Sequence, residues 1–410
     1  MTLAHAVILA AMTGVLCPRA GAVEGVDRPE VVIDDFRMEP LANFITENGI
    51  HEFHPKGLLG LGYDSNVYAT EDAIGDGFVR GIAGIEGRIN STLFDLIVYD
   101  LELESKIYFQ ESDRNLLGGR FDGEWVREGM ESTTSTGVHW ARIDDPLIET
   151  GENIQRSEYY GNVVHERERA NGSWNAGLDL GRNQFDEDGR TFTAEERSNW
   201  FGLLNGGWIW QFSETGDTSV NGTVGYRTYD LDTRFQDNWV VGATAGWRGR
   251  IGDRTFLNAS AGLEARMYAD DFVHNPAWDD KLVLVPVGVV LGRWQYREFS
   301  RVDLQFYSRA TDSTSANAAW IYGTVFDWLH AFDERWRAGA FGTWYTVRDS
   351  GSNTGEPIRT RETWQIGAKA ELEMVRGIGG RFRVSYASSD SNVDEDFDRL
   401  EAVIEMGIVF

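Results

Sequence analysis

Thiol chemistry is almost absent from this chain: its single cysteine is Cys17. That residue lies in a segment that reads as a removable leader. Disulfide frameworks, zinc–thiolate sites and cysteine nucleophiles are therefore excluded from the mature chain. Long apolar runs are missing too. Beyond the leader, no stretch supplies the ~18 apolar residues that one helical span requires. Positive charge is scarce, with 38 Lys+Arg against 65 Asp+Glu and a net charge of −27. A chain of that sign repels phosphates, so nucleic acid is excluded as a partner. Hydrophobic residues make up only 42%. That excludes a bundle of membrane helices, but not a membrane barrel, in which only every second strand residue faces lipid.

Catalytic and metal-binding patterns are also lacking. The histidines beyond the leader are His51, His54, His139, His165, His274 and His330, and none forms an HExxH pair. His165-Glu166-Arg167-Glu168-Arg169 lacks the second histidine. No GxSxG and no P-loop occur. His274 near Asp270 and Asp271 could form an acid–base group, but the plain reading is a solvated loop. Asp186-Glu187-Asp188 and Asp394-Glu395-Asp396 lack the ligand spacing and closing Glu of an EF-hand. No enzyme, cofactor, catalytic residue or metal site is implied.

What is present begins with a leader. Ala4–Leu16 is a short apolar run, and Ala20-Gly21-Ala22 offers small residues for cleavage, which predicts a signal peptide over 1–22. It departs from the pattern in having no Lys or Arg before the apolar core. A lipoprotein alternative needs a small residue before Cys17, where Leu16 stands. Residues 23–56 are acidic and weakly patterned, and read as a periplasmic N-terminal segment: a tail, or in a sharper reading a plug or docking peptide.

From Gly57 onward the hydrophobic period is two. Leu400, Ala402, Ile404, Met406, Ile408 and Phe410 share one face, against Glu401, Val403, Glu405 and Gly407. Trp364, Ile366, Ala368, Ala370, Leu372 and Met374 likewise oppose Thr363, Gln365, Gly367, Lys369, Glu371 and Glu373. Residues 97–109 and 255–267 repeat the pattern. Side chains alternate across a strand, so each segment is a strand with one greasy and one polar face. A soluble sandwich would alternate as well, but its strands average about 5–6 residues, whereas these runs hold for about 10–14 and a tilted membrane strand needs about 9–11. Tryptophan pairs spaced along one face (Trp200 and Trp210, Trp320 and Trp328, Trp336 and Trp344) suit two interfacial girdles. Short turns alternate with longer acidic links at 70–77, 144–156, 186–196, 231–237, 270–280, 349–360 and 390–398.

The fold class predicted is all-β: a transmembrane antiparallel β-barrel of about 18 strands over 57–410, with short periplasmic turns and longer extracellular loops. Sixteen strands is the alternative, because 116–143 is the least regular stretch. Pro286 falls inside an otherwise good strand and forfeits a ladder bond there.

The closing alternation into Phe410 resembles the terminal signature of bacterial outer-membrane barrels, whose final aromatic strand is read by the assembly machinery. Gly62-Tyr63-Asp64-Ser65-Asn66-Val67-Tyr68 resembles the opening motif of the outer-membrane barrels grouped as beta-barrel porin family 2. That likeness runs loosely over 57–410, and such short strings also open other barrels. The resemblance implies a role in glycan transport, since members are often associated with exopolysaccharide or capsule export.

The alternation assigns a set of lumen residues along a transport path. They are Asp64, Asn66 and Tyr68; Arg80, Glu86 and Arg88; Glu102, Glu104 and Lys106; Glu264 and Arg266; Arg301, Asp303 and Arg309; Lys369 and Glu371; Arg381 and Arg383; and Glu401 and Glu405. Opposite charges on neighbouring strands pair and stiffen the wall, or fixed charges in a wet pore select solutes; both can hold. Tyr68, Tyr108, Tyr229 and Tyr268 also point inward, where aromatic faces could offer sugars a sliding surface. On this register Ala368→Arg places a charge in lipid, while Lys369→Glu is solvated by lumen water. The leading expectation is a conduit in the outer membrane of a Gram-negative bacterium for polysaccharide export with periplasmic partners. The alternatives are a general diffusion porin and a blocked structural or surface-interaction barrel. Expected partners are outer-membrane lipid, the barrel assembly machinery and periplasmic polysaccharide-export components.

Overall fold

The computed structural model describes Phe44–Ile45 and residues 50–410, apart from 93, 147–152, 190–192, 214, 232–236, 269–281, 314–317, 351–357 and 394–395. The leader, most of the segment 23–56 and His274 with its neighbouring aspartates lie outside the described residues.

Alternation in the sequence becomes nineteen strands. They are β1 (Phe44–Ile45), β2 (His51–Asp64), β3 (Asp76–Asn90), β4 (Asp95–Tyr108), β5 (Leu116–Glu128), β6 (Ser132–Pro146), β7 (Asn153–Arg169), β8 (Gly172–Phe185), β9 (Asn199–Ser213) and β10 (Gly216–Tyr229). There follow β11 (Asn238–Arg250), β12 (Thr255–Tyr268), β13 (Leu282–Arg297), β14 (Ser300–Thr311), β15 (Ala319–Ala331), β16 (Trp336–Asp349), β17 (Thr360–Val375), β18 (Ile378–Ser391) and β19 (Phe397–Val409). From β2 to β19 each strand pairs antiparallel with the next, and β19 returns to β2 through Glu401↔Asp64 to Val409↔Lys56. Strand β1 only extends the start of β2, so the closed wall holds eighteen strands, not sixteen. The irregular stretch 116–143 resolves into β5 and most of β6. Closure leaves no sheet edge, which a bilayer demands of any β structure crossing it. No helix among the described residues is long and apolar enough to cross a membrane.

The wall begins earlier than Gly57. His51–Lys56 already pairs with Gly84–Ile89 of β3. This segment is polar on its inner face and carries His51 and Phe53 outward, so its alternation is weaker than that of the strands above it. Links 91–94, 129–131, 170–171, 214–215, 251–254, 298–299, 332–335 and 376–377 are short. At the other end, 65–75, 109–115, 186–198, 230–237, 269–281, 312–318 and 350–359 are longer. The tight turns have local causes: Asp333 accepts from the backbone N–H of Arg335 (2.8 Å) and Trp336 (2.7 Å), and Gly252 and Gly377 take φ of 72°, which only glycine adopts without strain.

The outer surface is apolar. Along β17, Trp364, Ile366, Leu372 and Met374 are exposed while Arg361, Thr363, Lys369 and Glu371 are buried inside. Aromatic rings gather in two bands. At the long-link end, Tyr322 lies 4.7 Å from Trp320 and 6.0 Å from Trp344 between ring centres. At the short-turn end, Trp294, Tyr296, Trp328, His330, Phe332 and Trp336 form a chain of ring contacts. These are the girdles an amphipathic ring prefers at the two lipid–water boundaries.

Pro286 is accommodated by a ladder that stops short. Pairing of β13 with β14 begins at Gly288↔Ser308, so no β14 partner awaits the N–H that Pro286 lacks. The Ser308 hydroxyl donates to the Pro286 carbonyl instead, and Trp320 Nε1 donates to Ser308 (2.7 Å).

Phe410 lies just past β19, with its N–H donating to the Pro55 carbonyl (2.8 Å) and its ring partly exposed. Phe410→Ala is expected to lower the yield of heat-modifiable, folded barrel in cells. Unchanged yield would count against a role for this ring in assembly.

Candidate functional site in the barrel lumen

The inner wall divides into sectors. From β18 through β19 to β5 it is ionic. Lys56 contacts Asp100 (2.8 Å), Glu102 (2.6 Å) and Glu86 (3.7 Å). Arg120 joins the same carboxylates, Glu102 at 2.8 Å and Asp100 at 3.3 Å. Arg80 bridges Glu104 (2.6 Å) and Glu405 (3.0 Å), and Arg381 donates to the other oxygen of Glu405. Lys106 lies 3.7 Å from Glu401 and over the Phe78 ring, and Arg88 pairs with Glu52. A second group spans β13 to β17: Asp303 takes Arg293 (2.7 Å) and Arg301 (2.9 Å), and Asp327 takes Lys369 (2.9 Å). Glu371 is buried, and the Arg383 guanidinium lies 4.8 Å over the Phe341 ring. Arg309 faces inward on β14, directly opposite Ile321.

Most of the assigned residues therefore do face inward, but as members of ion pairs rather than as free charges. Lys369 and Asp327 are both about 5% exposed, so the expectation that lumen water would solvate a glutamate at 369 is corrected. A buried ion cannot lose its partner cheaply.

Asp64, Asn66 and Tyr68 need a second correction. Strand β2 ends at Asp64, and the other two lie in the link 65–75. Asp64, fully buried, receives Arg399 Nη2 at 2.6 Å and Nε at 3.0 Å. Asn66, also fully buried, donates to the carbonyls of Thr70 (2.7 Å) and Asp398 (3.0 Å). Ser65 exchanges bonds with Leu400. The Asp-Ser-Asn string thus ties β2 to β19 where the barrel closes. Tyr68 donates to Glu111 (2.9 Å).

The aromatic sliding surface does not form either. Tyr108, Tyr229 and Tyr268 are buried. Tyr108 packs edge-on against Phe78, and Tyr268 lies in a cluster with Val283, Val285, Ala310 and Ala318. Tyr229 donates its hydroxyl to Asp312.

Asp312 is the residue that sequence reasoning missed. Asp312 and Ser313, just past β14, reach across the mouth: Asp312 accepts from Arg227 of β10 (2.5 Å) and Arg266 of β12 (3.0 Å). Glu264 holds the Nε of Arg266 at 2.8 Å. Next to Asp312, Ser313 donates to Asp349 (2.7 Å), which also takes Arg359 (3.0 Å). Arg197, from the link before β9, faces Asp312 from another side. Its helix α1 (Ala194–Arg197) is capped by Thr193, and Arg197 lies 5.4 Å over the Phe185 ring. Burial would raise the Asp312 carboxyl, yet Arg227, Arg266, Arg197 and the Tyr229 hydroxyl hold it below the usual carboxylate range. The available signal was a break in alternation: Thr311-Asp312-Ser313-Thr314-Ser315 is small and polar between two good strands. Lys56 was missed because it was placed in the segment before the barrel.

Between the ionic groups, β8 to β11 present Asn175, Asn205, Asn221, Thr223 and Thr244 among glycines at mid-wall, with the buried acid Asp179 beside Asn205. The fold and this lined interior define a transmembrane antiparallel β-barrel with a polar lumen.

Among solved structures the chain is similar to OccK2 (OpdF) of Pseudomonas aeruginosa, at 10% identity over 90% of this chain and 100% of that one, with a TM-score of 0.50. It is also similar to OccAB4 of Acinetobacter baumannii (9% identity, 89% and 100% covered, TM-score 0.48) and to the outer membrane protein opdK of Pseudomonas aeruginosa (12%, 87% and 99%, 0.45). At these identities the likeness is one of fold. No family model and no curated protein matches the chain, so the resemblance read from Gly62–Tyr68 gains no support.

Proposed function

We propose that the chain is an outer-membrane diffusion channel for small hydrophilic solutes, with Asp312 and Ser313 reaching across one mouth. The observation that carries this reading is the contrast between the two faces of one closed wall: lipid-compatible outside, and lined inside by ions and hydrogen-bonding groups. Burying so many polar groups inside a barrel is tolerable only where they pair or meet water, and the inner wall offers both. Polysaccharide export, the leading expectation from sequence, rests on the resemblance alone. The diffusion alternative fits the barrel better, because a closed wall with a polar inner face and a porin-like fold is what such a channel requires. We place the short turns on the periplasmic side and the long links outside, following the length asymmetry of such barrels.

Purified, heat-modifiable protein in planar bilayers should give discrete ohmic steps in KCl. Correctly folded barrel that never conducts would instead favour the blocked structural reading.

A further inference from the structure

The neutral sector of the wall has a geometry of its own. Cross-strand pairing aligns Gly262, Thr244, Asn221, Gly207 and Asn175 in one row from β12 to β8. The adjacent row is Gly242, Thr223, Asn205 and Gly177. All lie on the inward face, since Val220, Val224, Leu204 and Leu178 between them are exposed to the outside. Rows run perpendicular to strands, and barrel strands tilt by about 35–45° from the axis. Both rows therefore climb obliquely along the pore and form a track, not a ring.

The glycines let the asparagines lie flat. A Cβ on Gly207 would stand 2.1 Å from Asn221 Oδ1, and one on Gly177 would stand 2.5 Å from Asn205 Oδ1. Asn162 covers Gly137 in the same way, at 2.2 Å. The carboxamides are thus spread over the wall instead of projecting into the pore. Asn205 donates to Asp179 (2.6 Å). Among the described residues, the side chains of Asn175, Asn221, Thr223 and Thr244 bond to no protein group. Asn258, four residues before Gly262 on β12, is 7% exposed and also bonds to no group among the described residues. This contrasts with the ionic sector, where carboxylates and cations pair with one another.

We propose that this oblique track is a hydrogen-bonding path for uncharged polyhydroxylated solutes, of the size of free mono- and disaccharides. The inference rests on the channel reading above. Carboxamides and hydroxyls each donate and accept, as sugar hydroxyls do. The two rows themselves carry no charge, and the adjoining Asp179 is held by Asn205, so the sector offers an ion little counter-charge and favours neutral solutes. Open donors and acceptors exchange bonds with a passing solute at little net cost, because each replaces a bond to water.

The test is liposome swelling with glucose and with an equally large zwitterionic dipeptide, beside KCl conductance in bilayers. Asn221→Leu with Thr244→Val keeps volume and removes the hydrogen bonds. Gly207→Ala displaces the Asn221 carboxamide without adding charge. Each variant should slow glucose by about fivefold, leaving dipeptide swelling and KCl conductance near wild type. Equal slowing of glucose and dipeptide would mean simple narrowing and would overturn the track. Unchanged glucose flux in a barrel that conducts KCl would overturn it as well. Folded wild-type protein that passes no KCl would overturn the channel reading itself, and the track with it.

Discussion

Lys369→Glu should prevent most of the chain from reaching the folded barrel. The substitution removes the cation 2.9 Å from Asp327 and puts a third carboxylate among Asp327 and Glu371, all of them buried. Breaking a buried pair by changing one member costs about 3–5 kcal/mol, against about 2–4 kcal/mol for the neighbouring Ala368→Arg, which carries charge into lipid. The two variants fail for different reasons, and a second substitution separates them. Asp327→Lys combined with Lys369→Glu re-forms the pair in reverse and should recover folded yield, whereas it should do nothing for Ala368→Arg. Urea-titrated folded fraction in liposomes, read by heat-modifiable mobility, reports both. Wild-type stability for Lys369→Glu would show that this pair is solvated and that the inner wall is wetter than its packing implies.

Asp312→Ala should open the mouth without unfolding the wall. No ladder bond depends on Asp312, which lies in the link beyond β14. Its loss leaves Arg227 and the Tyr229 hydroxyl without their shared acceptor, while Arg266 retains Glu264. Breaking the clasp is worth about 3–5 kcal/mol, enough to let position 312 move away from β10 and β12. Single-channel conductance should rise, and larger polyethylene glycols should enter before they are excluded. Unchanged conductance and exclusion size would show that the link does not narrow the path. The pH dependence follows from the depressed carboxyl. A carboxylate held below its unfolded range contributes stability that is present above about pH 4 and is lost only as pH falls through its lower folded value. The clasp should therefore hold from pH 7 to about pH 4, with no step in conductance across that interval.

The register was legible because it is a local property. In β17 and β19, apolar and polar residues alternate over more than ten positions, and only one assignment puts Ile366, Ile404 and Met406 in lipid. The same rule misjudged residues at strand ends. Asn66 and Tyr68 continue the alternation past Asp64, where the ladder to β3 stops, and nothing local marks Asn66 as the residue that reaches Asp398. β13 reads apolar on both faces, with Val283 and Val285 inward, and gave no warning that a link would pack against it.

Charge type was local information, but charge state in the sense of pairing was not. The sequence by itself determined that this chain is a closed wall of long alternating strands, which face is greasy, and that the inner face mixes acids, bases and carboxamides. Only the tertiary structure decided which of those groups meet. Lys369 finds Asp327 two strands away, and Asp312 crosses the mouth to β10 and β12. Side-chain direction repeats every two residues and is written along the strand. Contact across a pore depends on strand count, shear and the path of the links, which no single segment contains.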